Sequence, residues 1–327
     1  MYKYALPMPT VAIAGGASPF VGRSIVTGIL TLTPHWKITI LSRPSSPTPA
    51  WLLPILESGR AELRRVNYAD HSSLVAALQD THTVISAIGF STSDPSWFST
   101  ELALLKATVE VGAKRFAPSE YGIGVIATPQ IDAFVGSVRI WEACEEAAAA
   151  SGLEWTRYEC GLFMNYLGFA VHSQLREEAL RGREKDGEWL YYTSACRAEL
   201  PIKADGTFPR ITLTAIEDIG KLVAKSLDLP SWETTSYIVG ETLRMDEVVQ
   251  IAEKAMGKKW EVKTLSPQEL ELRIESENDA ERKLWAQLGL SYARDIEGEG
   301  WLDGRLNRLF PDVSPLTVEG YFRKYYG

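Results

Sequence analysis

A glycine-rich turn between a short apolar run and an amphipathic segment constrains the fold of this chain more than any other part of its sequence. Residues 10–14 read TVAIA, and Gly15 and Gly16 follow them directly. Over residues 21–32 the apolar side chains recur near one face of a helix. The pattern predicts a buried strand, a tight turn made by Gly16 and a helix, whose free N–H groups and positive end converge on a phosphate.

The turn departs from the usual glycine pattern at one position. Read as G-x-x-G-x-x-G from Gly16, the loop has Pro19 where the middle glycine belongs and Gly22 where the helix packs closely on the sheet. Proline has no N–H to donate and its ring takes up space, although it is tolerated in the first turn of a helix. We therefore expect weakened or displaced phosphate binding, and a strand–turn–helix without any ligand is the alternative interpretation.

The alternation of strands and helices continues over the first half of the chain. Further strands are predicted at residues 37–41, 61–66, 83–88, 114–117 and 155–158, and helices at 71–78, 100–111 and 138–150. Strands that are separated by helices form a parallel sheet with right-handed crossovers. The sequence therefore predicts an α/β fold with a Rossmann-type, doubly wound parallel sheet.

The second half of the chain is less regular. Residues 181–210 are polar and interrupted by glycine and proline, and helices are predicted again at 216–227 and 245–256. Because the sequence contains no repeat and no low-complexity linker, we expect residues 1–160 to form the Rossmann domain. Residues 161–327 would form a smaller substrate-binding region that packs on it and returns segments to the sheet.

The end of the second predicted strand indicates which dinucleotide the loop accepts. An acidic residue at this point hydrogen-bonds the ribose 2′-hydroxyl of NAD, whereas an arginine accommodates the 2′-phosphate of NADP. Here the strand ends in Ser42 and Arg43, with no carboxylate. The guanidinium of Arg43 and the hydroxyl of Ser42 suit a phosphate, so the position favours NADP(H), although lone surface arginines are common.

Composition narrows the range of partners and compartments. The 327 residues carry a net charge of −8, so no general affinity for nucleic acid or an anionic membrane is expected. Three scattered cysteines without a CxxC or Cys/His cluster predict neither a metal site nor a disulfide framework. Because there is no signal-peptide pattern and no apolar run of about 18 residues, we expect a cytoplasmic monomer or homodimer with a small apolar substrate.

Several longer segments extend this interpretation through a resemblance. GGASPFVGR, ITILSRPSS, VNYADHSSLVAALQDTHTVISAIG and KRFAPSEYG occur in the order seen in the NmrA-like and isoflavone reductase-like family, an atypical branch of the short-chain dehydrogenases. LEWTRYECGLFMNYLG and TLTAIEDIGKLVAKSL resemble later segments of that family, so the similarity covers roughly residues 10–260. The resemblance implies a Rossmann domain that binds NADP(H), with the C-terminal part closing a substrate cleft.

The resemblance also implies roles for individual residues. Those that would contact the cofactor are Gly16, Ala17, Ser18, Phe20, Val21, Arg43, Ala87, Ile88, Gly89, Pro118, Ser119 and Glu120. The floor between nicotinamide and substrate would be formed by Gly161, Leu162 and Phe163. Further candidates for the substrate pocket are Phe90, Met164 and Tyr166. Such side chains suit an apolar, polycyclic substrate if they converge, and they suit a protein core equally well.

One departure from the family concerns the acid–base residue. The family's reductases carry a lysine in the helix before the strand that matches EWTRYE, but no lysine occurs here between Lys114 and Lys185. Arg139 is the nearest basic residue, and an arginine stays protonated and is a poor proton shuttle. Tyr121 and His172 are the other candidates for a catalytic role.

Two functions are compatible with these observations. The first is an NADP(H)-dependent oxidoreductase that acts on an apolar or polycyclic small molecule of specialised metabolism. A redox-assisted isomerisation or rearrangement is a variant of it, because the nicotinamide can act with little acid–base help from the protein. The second is a non-catalytic, NADP-sensing regulator of the NmrA type, which the absent lysine would suit. The aromatic residues near the expected pocket favour the enzyme.

Overall fold

The chain folds into two compact units. The structure is a computed structural model that describes residues 8–91, 96–172 and 174–327. The first unit comprises the chain up to Glu120 with Arg139–Arg157 and Val223–Thr235, and the second comprises Tyr121–Val138, Tyr158–Leu222 and Ser236–Gly327. The domain boundary expected at residue 160 stays a prediction, because compactness does not show where cofactor and substrate bind.

The described residues form the following strands and α-helices. The strands are β1 (Thr10–Ala14), β2 (Lys37–Ser42), β3 (Ala61–Arg65), β4 (Thr83–Ser86), β5 (Arg115–Ala117), β6 (Tyr121–Gly122), β7 (Glu154–Trp155), β8 (Arg157–Glu159), β9 (Leu162–Phe163), β10 (Tyr191–Tyr192), β11 (Arg197–Pro201), β12 (Arg210–Thr214), β13 (Thr235–Tyr237), β14 (Glu241–Arg244) and β15 (Glu261–Leu265). The helices are α1 (Val21–Leu32), α2 (Leu53–Glu57), α3 (His71–Ala77), α4 (Trp97–Glu110), α5 (Val135–Ser151), α6 (Arg176–Leu180), α7 (Ile216–Ser226), α8 (Met245–Met256), α9 (Pro267–Ser276), α10 (Ala280–Arg294), α11 (Arg305–Leu309) and α12 (Val318–Tyr326).

The first unit is built on a six-stranded sheet with the order β3-β2-β1-β4-β5-β7. Every pair of neighbouring strands is parallel. The order reverses between β1 and β4, which creates the crevice at the carboxyl ends of the strands where doubly wound folds bind ligands. The predicted fold class, a Rossmann-type parallel sheet, is confirmed.

The inner strands of this sheet are buried along most of their length because both faces of the sheet are covered. Val11, Ile13, Ile38 and Ile40 have no exposed surface. Helix α1 contributes Ile25 and other buried aliphatic side chains from one face. Most strands and helices predicted in the first half occur within three residues of their expected bounds. The strand predicted at 83–88 is shorter, since β4 ends at Ser86 and leaves residues 87–89 as a loop.

The second unit has its own apolar core. Its largest buried side chains include Tyr191, Tyr292, Tyr321 and Phe322. Two three-stranded sheets have the orders β10-β11-β15 and β14-β12-β9, and a third has the order β13-β8-β6. The region 181–210, expected as loops and short strands, contains β10 and β11 and the start of β12.

Membrane-spanning helices and clusters of metal ligands are both absent from the described part of the chain. In that part no helix combines the length and the apolarity needed to cross a bilayer. No group of three or more His, Cys, Asp or Glu side chains within it is arranged to hold a metal ion.

Candidate dinucleotide-binding site

The glycine loop between β1 and α1 is fixed by close backbone contacts. Gly15 has a φ of +73°, in the left-handed region that favours glycine. A Cβ on Gly15 would lie 2.6 Å from the Ala87 carbonyl oxygen, and one on Gly22 would lie 2.3 Å from the Gly15 carbonyl oxygen. The close approach expected at Gly22 is therefore present. Gly16 lies in the turn after β1, as expected, and the left-handed conformation within this turn belongs to Gly15.

The start of α1 is suited to an anion. The Ser18 N–H donates to the Gly15 carbonyl oxygen (3.0 Å), and the Ser18 hydroxyl accepts from the Phe20 N–H (3.3 Å). Helix α1 begins at Val21, without a side-chain cap and without an acidic residue in its first turn. Pro19 is exposed and precedes the helix, so it does not lie in the first turn as expected. No carboxylate in this turn offsets the positive helix end.

The loops that follow β4 and β5 lie side by side at the same edge of the sheet. The contact between Gly15 and the Ala87 carbonyl places the β4 loop against the glycine loop. The Ser119 hydroxyl donates to the Ile88 carbonyl oxygen (2.9 Å) and joins the two loops. The structure thus brings together three of the predicted cofactor segments, the glycine loop, residues 87–89 and residues 118–120.

Behind these loops lies a buried carboxyl group that the sequence analysis did not single out. Glu101 on α4 has no exposed surface. Its Oε1 accepts from the Ser86 hydroxyl (2.6 Å) and its Oε2 from the Ser119 N–H (3.3 Å). Burial raises the pKa of Glu101 to about 7, and the two hydrogen bonds act in the opposite direction. The only sequence signal was an acidic residue on an otherwise apolar helix face.

The loop after β2 is shaped by a second residue that was missed, Arg65 at the end of β3. Its Nη1 donates to the Ser42 hydroxyl (3.1 Å), and to the carbonyl oxygens of Arg43 (3.0 Å) and Ser46 (2.7 Å). Its Nη2 donates to the Thr48 hydroxyl (2.7 Å). Ser42 is buried, so this contact favours a structural role for its hydroxyl over the predicted contact with phosphate. The side chain of Arg43 is exposed.

A cavity of about 920 Å³, here named the Arg43 cavity, lies at the carboxyl ends of β2 and β3. It is lined by Arg43, Pro44, Ser45, Val66, Asn67, Tyr68, Ala69, His71, Ser96, Phe98, Ser99, Thr100, Leu102, Ala103 and Lys106. The lining includes two basic side chains, those of Arg43 and Lys106, and no acidic residue. Within the described ranges, neither cation forms an ion pair with a carboxylate. The cavity therefore suits a phosphate group.

The three predicted catalytic residues are divided between the units. Arg139, on α5 in the first unit, is exposed, and its guanidinium carbon lies 3.9 Å from the centre of the Phe98 ring. This cation–π contact orients the arginine. In the second unit, Tyr121 stacks on Tyr158 with ring centres 6.2 Å apart and planes inclined by 6°. His172 is an exposed residue of the same unit.

The predicted pocket residues 161–166 belong to the second unit. Gly161 has a φ of +70°, and a Cβ there would lie 2.4 Å from the Thr212 carbonyl oxygen, so only glycine fits. Leu162 is buried. The Phe163 ring stacks on Tyr166, with centres 6.4 Å apart.

Tyr166, Met164 and Phe90 have environments that the sequence did not anticipate. The Tyr166 hydroxyl donates to Asp186 (2.9 Å), and burial raises the pKa of Tyr166 to about 12. Met164 is fully buried in the apolar core, so the expectation that it lines a pocket is corrected, because its side chain has no surface to offer a ligand. Phe90, in the first unit, is exposed and packs edge-to-face on Trp97.

The fold and the loop define this chain as a Rossmann-type protein of the dinucleotide-binding class. The NmrA-like family model matches residues 9–290, and the chain belongs to the NmrA-like family. The resemblance noted from the sequence motifs is thereby confirmed.

Similar proteins include reductases of plants and an oxidoreductase of a fungus. Oxidoreductase BOA1 of Botryotinia fuckeliana is 29% identical over 94% of this chain and 96% of its own length. Phenylcoumaran benzylic ether reductase PT1 of Pinus taeda is 26% identical over 95% and 96%. A solved structure described as AtPrR2 with NADP⁺ and (+)pinoresinol has a TM-score of 0.72 and 22% identity, covering 98% of this chain and 100% of that one. This last likeness supports the fold.

Proposed function

We propose that the chain is an NADP(H)-dependent oxidoreductase that acts on an apolar, polycyclic small molecule of specialised metabolism. The observation that carries the cofactor assignment is the lining of the Arg43 cavity, which contains Arg43 and Lys106 and no acidic residue. A 2′-phosphate suits that lining, whereas the ribose diol of NAD is held by a carboxylate in this fold. The relatives named as oxidoreductase and reductase support the class of reaction.

The residues at the strand ends fit a dinucleotide. Glycine at positions 15 and 22 lets the backbone of the loop and of α1 pack closely, and a pyrophosphate would lie near the start of α1. Arg43 would hold the 2′-phosphate, and residues 87–89 and 118–120 would hold the remainder of the cofactor. Bound NADPH supplies a hydride, while the protein supplies orientation and electrostatics.

A reduction also consumes a proton, and the chain lacks the usual lysine for it. Arg139 stays protonated, so its guanidinium suits the orientation of an oxyanion and not the transfer of a proton. Tyr121 has a hydroxyl that can donate a proton, and we assign it that role; His172 is the second candidate. Solvent or the substrate itself would supply the proton if neither does.

Turnover with defined substrates tests this proposal. The panel contains phenylcoumaran benzylic ethers and pinoresinol, taken from the relatives' names, with enones and imines of similar size. We expect NADPH consumption with a reduced or rearranged product identified by mass spectrometry. Tyr121→Phe should lower kcat, and Thr27→Ala, on the exposed face of α1, serves as the matched control. Absence of product across the panel would contradict the oxidoreductase.

One observation favours a second candidate, an NADP-sensing regulator without catalysis. Arg139 is the nearest basic residue to the position of the family's lysine, and it is exposed and stacked on Phe98. A sensor would bind NADP(H) tightly, give no product with any substrate, and capture a protein partner only in the presence of one form of the cofactor. Arg139→Lys separates the two functions, since a gain in turnover is expected only of an enzyme.

A further inference from the structure

Glu101 connects the two loops that we assign to the cofactor. Ser86, which precedes the loop at residues 87–89, donates its hydroxyl to one carboxyl oxygen of Glu101. Ser119, in the loop at residues 118–120, donates its N–H to the other carboxyl oxygen. Ser119 also reaches the first loop directly, through the Ile88 carbonyl oxygen. The carboxyl group is therefore part of a closed set of hydrogen bonds that fixes the spacing of the two loops.

The charge of this group depends on a balance between burial and hydrogen bonding. Burial is the largest influence on the pKa of Glu101 and raises it, whereas the bonds from Ser86 and Ser119 favour the carboxylate. No cation is among the influences on it in the described part of the chain. The pKa of a carboxyl group held in this way changes when another charge is brought near it or when water nearby is removed.

The other titratable groups around Glu101 do not replace it as the proton-binding group. Tyr68, after β3, and Cys144, on α5, interact electrostatically with Glu101, and burial raises the pKa of both, so both stay neutral near pH 7. Glu120 and Arg157, of opposite charge, act on the Cys144 thiol.

Arg43 and Glu145 are the remaining charged residues that act on Tyr68 or Cys144. Arg43 acts on the Tyr68 hydroxyl, and Glu145 acts on the Cys144 thiol. On α3, which packs against α4, His71 pairs with Glu110 at the opposite end of α4 (2.6 Å).

We propose that Glu101 is a proton-linked positioning residue, whose carboxyl group takes up a proton from solvent when NADPH binds to the loops it joins. The inference rests on the proposed function. The cofactor brings negatively charged phosphates and displaces water from the loops, and both changes disfavour a buried carboxylate. By linkage, NADPH affinity then falls as the pH rises through the neutral range, by up to about tenfold per pH unit.

Calorimetric titration of the full chain with NADPH tests the proposal. Measurements at pH 6, 7 and 8, each in two buffers of different ionisation enthalpy, give the number of protons taken up on binding. At pH 7 the wild type should take up as much as about half a proton more than Glu101→Gln, since the 2′-phosphate contributes equally to both. Ser86→Ala removes one bond to the carboxylate and should move the proton uptake to higher pH.

The possible results of these titrations separate the role of Glu101 from the proposed function. Equal proton uptake in wild type and Glu101→Gln, with NADPH binding intact in both, overturns this inference and leaves the proposed function standing. Absence of NADPH binding in the wild type overturns both. If Glu101→Gln does not fold, the Ser86→Ala profile decides, and an unchanged profile counts against the proposal.

Discussion

The contact between Gly22 and Gly15 predicts that a single methyl group will disturb both the fold and the cofactor site. In Gly22→Ala the new Cβ would lie 2.3 Å from the Gly15 carbonyl oxygen, and 3.0 Å from both the Gly15 carbonyl carbon and the Gly16 Cα. All three atoms belong to the backbone, so no side-chain rotation relieves the contact. Ordinary van der Waals contact begins at 3.4 Å, so α1 has to move by about 1 Å.

The size of the effect follows from two opposing contributions. Overpacking of this kind lowers the free energy of unfolding by roughly 1–3 kcal/mol, whereas replacing glycine by alanine in a helix raises it by up to about 1 kcal/mol. We expect the free energy of unfolding to fall by roughly 1–2 kcal/mol. A shift of about 1 Å at the start of α1 should also lengthen charge-assisted bonds to the pyrophosphate, which weakens NADPH binding by roughly tenfold or more.

Urea unfolding and calorimetric titration of Gly22→Ala measure the two quantities. Thr27→Ala is the control, because Thr27 lies on the exposed face of the same helix. That variant should bind NADPH as the wild type does. Wild-type NADPH affinity in Gly22→Ala would refute the reasoning, since it would mean that the loop and the helix start do not hold the cofactor.

Three further predictions concern other parts of the first unit. Arg65→Ala removes the contacts to the loop at 42–48 and should weaken NADPH binding by roughly tenfold in a titration, whereas unchanged binding would show that the loop holds its shape alone. Asp70 caps α3 through the Ser73 N–H, so Asp70→Ala should lower the urea-unfolding free energy by about 1 kcal/mol without changing NADPH affinity, and a loss of affinity would contradict this. Burial raises the pKa of Glu101 from 4.5 to about 7, so its stabilising contribution is complete below pH 4.5 and is lost as the pH rises to 7. Relative to Glu101→Gln, wild-type stability should therefore decline over that window by a few kcal/mol, and parallel curves would contradict the assignment.

The sheet was predictable from the sequence because its strands are short apolar runs between helices of clear periodicity. TVAIA is followed directly by the glycine turn and KITIL by Ser42, so the end of each strand is visible in the sequence. The same local reasoning located the residues at the strand ends, since the carboxyl ends of parallel strands meet at one edge.

What escaped prediction depends on contacts between distant parts of the chain. Arg65 and Glu101 form hydrogen bonds with residues 15 to 23 positions away in the sequence, and no local pattern shows these contacts. The left-handed backbone of Gly15 goes with the close packing of Ala87 and Gly22 against it, which the sequence does not show. Met164 was misassigned because an apolar residue after a pocket segment looks the same in sequence whether it faces a ligand or the core.

The assignment of Arg43 to the 2′-phosphate is the central claim, and one titration tests it most directly. Wild type and Arg43→Ala are each titrated with NADPH and with NADH. Loss of a charge-assisted contact of about 1.5–3 kcal/mol should raise the Kd for NADPH by roughly 10–100-fold and leave the Kd for NADH nearly unchanged. An equal loss for both dinucleotides, or no loss for either, would contradict the account.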